Sequence, residues 1–255
     1  MVARAEVAAV VRRPAWSRPS AEDRAASGVG EPMASKAPLR RALLAGATGL
    51  VGRAMLPLLL RGHASVDLLL RRPVPALGAD PRLRPHVVDF ARLGDTVPAV
   101  DDVFIALGTT IAVAGSEAAF RAVDFDAVVA TARAARAAGA TRLALVSALG
   151  ADAGSRVFYN RVKGETEAAV AGLGYASVAI ARPSLLLGDR EALGQPVRRL
   201  EALAMRFSRP LSLLVPRAVR PIAAVDVAAA LVAAAARGEP GVRILASGEM
   251  QGAAG

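Results

Sequence analysis

The chain has 255 residues, 54% of them hydrophobic, and carries 32 Lys plus Arg against 22 Asp plus Glu, a formal charge of +10. That length suits one large domain, or one domain with a small appendage, and it can bury a sizeable core. The composition excludes disulfides and thiolate metal sites, because Cys is absent, and it excludes a spanning helix, because no apolar run reaches about 18 residues.

The longest apolar stretch, residues 222–236, is mostly Ala and Val and is interrupted by Asp226, so it reads as a buried amphipathic helix. The arginines stand singly or in pairs, such as Arg12 with Arg13 and Arg198 with Arg199, without interleaved aromatics. They read as a generally basic surface and not as a specific nucleic-acid groove. His63 and His86 make a poor ligand set, so no metal is expected. A cytoplasmic protein, monomer or homodimer, is the expectation.

Residues 1–38 mix Arg, Ala, Ser, Pro and Gly with no sustained period and are interrupted by Pro14, Pro19 and Pro32. They read as a disordered leader, with Met33 as an alternative start. Residues 39–255 then alternate short apolar runs with helical stretches, the pattern of parallel strands joined by crossover helices. The fold class expected is α/β: a Rossmann-type doubly wound parallel sheet with helices on both faces and a small C-terminal substrate cap over residues 189–220.

The first strand, near 42–45, runs into Gly46-Ala47-Thr48-Gly49-Leu50-Val51-Gly52 and a helix over 50–61. Strand before and helix after are the context that makes a glycine motif credible as a dinucleotide loop. Gly46 permits the tight turn, Gly49 lets backbone approach a pyrophosphate, and Gly52 lets helix and strand pack closely. Thr48, Leu50 and Val51 complete the loop, and the helix N-terminal amides face the anion.

A second strand near 66–70 ends at Arg71-Arg72, where an acidic residue would read the ribose of NAD. Two cations there favour the 2′-phosphate of NADP(H), with NAD(H) as the alternative cofactor and solvated surface arginines as the bland reading. A third strand near 86–88 is followed by Asp89, placed to reach an adenine amino group, with Phe90 as packing. A fourth, near 103–107, ends in Leu107-Gly108-Thr109-Thr110. Both segments suit cofactor contacts, because ligands of doubly wound sheets lie beyond the carboxyl ends of the strands.

A long helix over 117–138 leads to a fifth strand over 142–147 that ends on Ser147. Twelve residues later stand Tyr159 and Lys163, spaced Tyr-x-x-x-Lys. The chain has only two lysines and two tyrosines, so this pairing would arise by chance in roughly one or two per cent of chains. Four residues apart on a helix, the two share a face. A compact ammonium can donate to ribose hydroxyls and favour ionisation of a nearby phenol, chemistry for which a planar guanidinium has the wrong shape. A helix over 160–171, a strand over 176–181, a helix over 225–237 and a strand over 242–245 complete the alternation.

These residues carry a resemblance. GATGLVG, Ser147, Tyr159-x-x-x-Lys163 and Arg182-Pro183-Ser184 resemble the short-chain dehydrogenase/reductase superfamily. LGTT, AVDFD, VSALGADAGSRVFYNRVKGETE and ARPSLLLGDR are similar to its atypical branch of Tat-interacting oxidoreductases and their bacterial relatives. The resemblance covers roughly residues 41–190 strongly. It implies NADP(H), a catalytic set of Ser147, Tyr159 and Lys163, and a nicotinamide-lining segment at Arg182, Pro183 and Ser184. Where many members place an Asn to order a proton-relay water, this chain has Asp124.

Two functions follow as expectations. One is hydride transfer to or from a small carbonyl or alcohol, with Tyr159 as acid, Ser147 holding the oxygen and Lys163 activating the phenol. The other is a regulatory or partner-binding protein that binds NADP(H) with little turnover.

Overall fold

Every residue of the strand Ser65–Leu70 is buried, because helices cover both faces of the sheet it belongs to; its one acidic residue, Asp67, is paired with His86 at 2.7 Å. The same cover divides Arg41–Ala45: Ala42 and Leu44 enter one core, Leu43 and Ala45 the other. The computed structural model describes residues 39–77, 80–187 and 216–255. The expected leader, and the expected cap except for residues 216–220, lie outside the described residues.

In chain order the strands are β1 (Arg41–Ala45), β2 (Ser65–Leu70), β3 (Leu83–Val87), β4 (Asp102–Ile105), β5 (Arg142–Val146), β6 (Ser177–Arg182), β7 (Leu186–Leu187), β8 (Ile222–Ala223) and β9 (Gly241–Ala246). Seven form one parallel sheet in the order β3-β2-β1-β4-β5-β6-β9, while β7 and β8 pair in a short parallel ladder of their own. The order reverses between β1 and β4, which opens a crevice beyond their carboxyl ends. This is the doubly wound Rossmann-type fold expected of the sequence.

Helices α1 (Leu50–Gly62) and α6 (Ala224–Arg237) cover one face. On the other lie α4 (Val128–Ala137) and α5 (Phe158–Ala171). Met55 and Leu59 of α1 are fully buried, as are Phe104 of β4 and Leu143 of β5; each such side chain contributes about 1.5–3 kcal/mol. At the opposite end of the sheet from the crevice, Asp102 accepts from Arg40 at 2.7 and 2.8 Å and pairs with the buried His63 ring at 3.0 Å, tying α1 to β4.

The long helix expected over 117–138 is three pieces. Helix α3 (Glu117–Arg121) passes through one wide π turn, Ala122–Ala127, before α4 begins. A π turn rotates the side chains that follow it and recurs at functional sites. Its one fully buried acidic residue is Asp124. Helix α5 starts two residues earlier than expected, at Phe158, so Tyr159 and Lys163 occupy its first two turns.

Candidate functional site

The crevice at the β1/β4 reversal holds a cavity of about 250 Å³. Gly46, at φ +96°, makes the turn that sequence spacing demanded, and a Cβ there would stand 2.4 Å from the Ala106 carbonyl oxygen. A Cβ on Gly52 would stand 2.0 Å from the Gly46 oxygen. These two glycines therefore serve backbone packing, as expected, and do not line the cavity. Gly49, Leu50 and Val51 do line it. No side chain caps α1, so its first amides and its positive dipole end meet the crevice, the arrangement that suits a pyrophosphate.

Across the cavity stand Tyr159 and Lys163 of α5, with Gly108 and Thr109 from the β4 end and Pro183 and Ser184 from the β6 end. The Tyr159 ring is half-buried against Phe120 at 5.2 Å between centroids. Lys163 is almost wholly buried, and its Nζ lies 2.6 Å from Asp124 Oδ1. The other Asp124 oxygen accepts from the Thr109 amide at 2.9 Å. Gly108 lies beside this pair: a Cβ there would stand at ordinary contact distance, 3.4 Å from Asp124 Oδ1 and 3.8 Å from Lys163 Nζ. Burial opposes the charged ammonium, but the Asp124 carboxylate, followed by Tyr159, outweighs it and holds the Lys163 pKa above the ordinary value. Asp124 is thus the direct partner of the lysine, a role sequence reading did not assign to it.

Ser147 lines the same cavity. Its backbone amide continues the ladder to Ala181, and its Oγ donates to Glu167 Oε1. Glu167 follows Lys163 by four residues on the same face of α5 and is itself buried. Arg182 holds it through Nη2 at 2.5 Å and Nε at 3.1 and 3.2 Å. Arg182 consequently lies behind Ser147 and outside the cavity, which corrects its expected cofactor contact.

The remaining expected contacts divide. Leu107 lines the cavity, whereas the Thr110 hydroxyl caps α2 (Ile111–Ala114) by accepting from the Val113 amide at 3.2 Å. Thr48 is exposed beside the loop, and Phe90 is a core residue. Arg71 and Arg72 are exposed at the end of β2. Asp89 is exposed too, and its carboxylate accepts from the Ala91 amide at 2.9 Å within its own turn. Sequence reading missed Glu167, for which spacing from Lys163 was an available signal. It also missed Gly164, where a Cβ would stand 2.1 Å from the Ala153 amide nitrogen; no local sequence signal announces that contact.

The model of an NAD(P)H-binding family matches residues 46–181, the strands and loops that build this crevice. The chain belongs to that NAD(P)H-binding family. Within it, the chain is a relative of the atypical short-chain dehydrogenase/reductase branch to which the Tat-interacting proteins belong. It is 37% identical over 168 residues to protein HTATIP2 of Rattus norvegicus, covering 64% of this chain and 67% of the relative. It is 37% identical over 163 residues to protein FMP52, mitochondrial, of Coccidioides immitis, covering 58% and 66%. The chain thus spans about two thirds of the length of these relatives.

Among solved structures of the family's fold, the Bordetella bronchiseptica enzyme WbmG in complex with NAD superposes with a TM-score of 0.62 at 17% identity, covering 85% of this chain and 76% of that one. MoeE5 in complex with UDP-glucose and NAD gives 0.60 at 20%, covering 80% and 75%. Family membership and fold together support a nicotinamide cofactor. The cytoplasmic expectation is overturned: the FMP52 relatives are named mitochondrial, which points away from that compartment. Absence of Cys and of a spanning helix carries no address information. Among the described residues, no helix is long and apolar enough to cross a membrane.

Proposed function

We propose that this chain is an NADP(H)-dependent oxidoreductase acting on a small carbonyl or alcohol. The observation that carries the reading is convergence on one cavity of an uncapped helix N-terminus, from Gly49 to Val51, with Tyr159 and Lys163. The amides of that helix would hold the pyrophosphate. Arg71 and Arg72, exposed and without an ion-pair partner among the described residues, would hold the 2′-phosphate that distinguishes NADP from NAD. When bound, the nicotinamide supplies or accepts the hydride.

Tyr159 would deliver the proton to the substrate oxygen, or remove it in the reverse direction. The Lys163 ammonium would donate to ribose hydroxyls and stabilise the phenolate that remains after proton transfer. Asp124, gripping both Lys163 and the Thr109 amide, would fix the lysine against the floor of the cavity. Ser147, at the carboxyl end of β5, would hold the substrate oxygen. Ala148, Leu185 and Leu186 give the cavity an apolar flank suited to a small substrate. Titration with each nucleotide tests the cofactor assignment: NADPH binds at least about tenfold tighter than NADH, the effect of roughly one charge-assisted contact.

A second reading, a cofactor-sensing or partner-binding protein with little turnover, is favoured by one observation. Asp124 is fully buried and spends its charge on Lys163, so it opens no proton path to solvent in place of an ordered relay water. NADPH consumption against a panel of carbonyl compounds separates the two readings.

A further inference from the structure

We infer that the free edge of β9 is a self-association surface, on which a second copy of this chain adds its own β9 in the antiparallel sense. β9 is the last strand of the seven-stranded sheet, and among the described residues β6 is its one neighbour. The Gly241 amide donates to the Ala176 carbonyl at 3.0 Å. Backbone groups alternate from side to side along a strand, so Gly241, Arg243 and Leu245 serve β6, while Val242 and Ile244 turn their amides and carbonyls outward. Ala246 faces outward as well, but its amide already donates to Glu249 Oε2 at 2.8 Å, which ends the open stretch. The side chains of Val242 and Ile244 are apolar and 51% and 45% exposed. They form one wall of a second cavity, about 460 Å³, shared with Ile180 of β6 and with Ala168 and Ala171 of α5. Extended backbone with open donors and acceptors beside exposed Val and Ile is what strand addition requires.

Two features select a second copy as the occupant. The opposite edge of the sheet, β3, bonds to β2 through its even-numbered residues, with Val66 donating to Arg82 and Val88 donating to Leu70. Pro85 therefore stands on the outer side of β3 and offers no amide there. Addition of β9 to β3 of the next molecule, which would propagate without closing, is thereby blocked. Pairing of β9 with its own copy about a twofold axis closes after two chains, and it matches because the same two residues supply both donors and acceptors. Charge is the second feature. A chain of formal charge +10 repels its copy over much of its surface. At this edge, however, Arg237 and Arg243 share Glu239 at 2.9 and 3.0 Å, so the apolar strand is flanked by ion pairs and not by bare cations.

Sedimentation velocity of the full chain, run without nucleotide or substrate, tests this surface independently of turnover. The expected mass is twice the 26.1 kDa of one chain, and the amides of Val242 and Ile244 should exchange with deuterium more slowly as protein concentration rises. Ile244→Pro removes one outward amide while leaving the bonds to β6, and Ile244→Lys puts a cation on the apolar face. Each variant should sediment as a single chain with an unchanged far-UV spectrum. Should the proline variant fail to fold, the lysine variant decides. A single-chain mass for wild type overturns the inference. So does a dimer that persists in Ile244→Lys, because its contact then lies on another face.

Discussion

Lys163 and Asp124 form a buried ion pair at the floor of the crevice, with 2.6 Å between Nζ and Oδ1 and no solvent exposure at Asp124. The lysine comes from the second turn of α5 and the aspartate from the π turn ahead of α4. Two helices on the same face of the sheet are thereby joined under the phenol of Tyr159. Such a pair is held by its geometry, because each charge is costly without the other.

Removing one partner should therefore cost far more than removing both. Lys163→Met, which strands the Asp124 carboxylate, is expected to lower stability by about 3–5 kcal/mol in urea unfolding, and the double variant with Asp124→Leu to recover most of that loss. The Lys163 pKa is raised by its partner against the pull of burial. The pair's contribution is then present in full below the ordinary lysine value of 10.5 and is lost as pH rises through the higher folded value. Equal losses for the single and double variants would contradict this.

Acid sensitivity should trace to the other end of the sheet. Burial of Asp102 opposes its ionisation, but His63 and Arg40 outweigh it and hold its pKa below the ordinary 3.8. Its contribution is present above that value and disappears as pH falls through the lower folded one. Asp102→Asn should cost about 3 kcal/mol near neutrality, with the gap to wild type closing in acid. Unfolding curves collected across that range check the closure.

Gly52→Ala and Gly164→Ala should both destabilise, because each new methyl would stand within about 2 Å of backbone rather than of a side chain that can move. Gly52→Ala should also weaken nucleotide binding by displacing the Gly46 turn. Gly164→Ala should push residues 152–153 off α5 while the α1 N-terminus is left intact. Thermal melting with nucleotide titration separates the two outcomes.

Replacing Arg71 and Arg72 together by Ala should weaken NADPH binding by about tenfold or more while leaving NADH within about twofold, as expected for loss of contacts made to a phosphate alone. Equal weakening of both nucleotides would assign the arginines a general electrostatic role.

The sheet was legible because most of its central strands are short apolar runs punctuated by Gly and Arg, and the loop at Gly46 because strand, glycine spacing and helix occur together. Tyr159 with Lys163 was legible from the scarcity of both residue types. Asp124 was visible only as an unusual residue: its pairing depends on a π turn, which arises from tertiary packing and not from helical spacing. Strand position placed Ser147 at the crevice, but its contact with Glu167, itself held by Arg182, brings together α5 and the ends of β5 and β6 and has no local sequence signal.

On the proposed function, Tyr159 supplies the proton in an NADPH-linked reaction. Consumption of NADPH by wild type and Tyr159→Phe, followed side by side over one panel of small carbonyl compounds and their alcohols, tests it most directly. The expected result is turnover in wild type that falls by about 10²–10⁴-fold in the variant, the usual contribution of a general acid, with the NADPH dissociation constant changed by no more than about twofold. Turnover preserved in Tyr159→Phe would contradict the account.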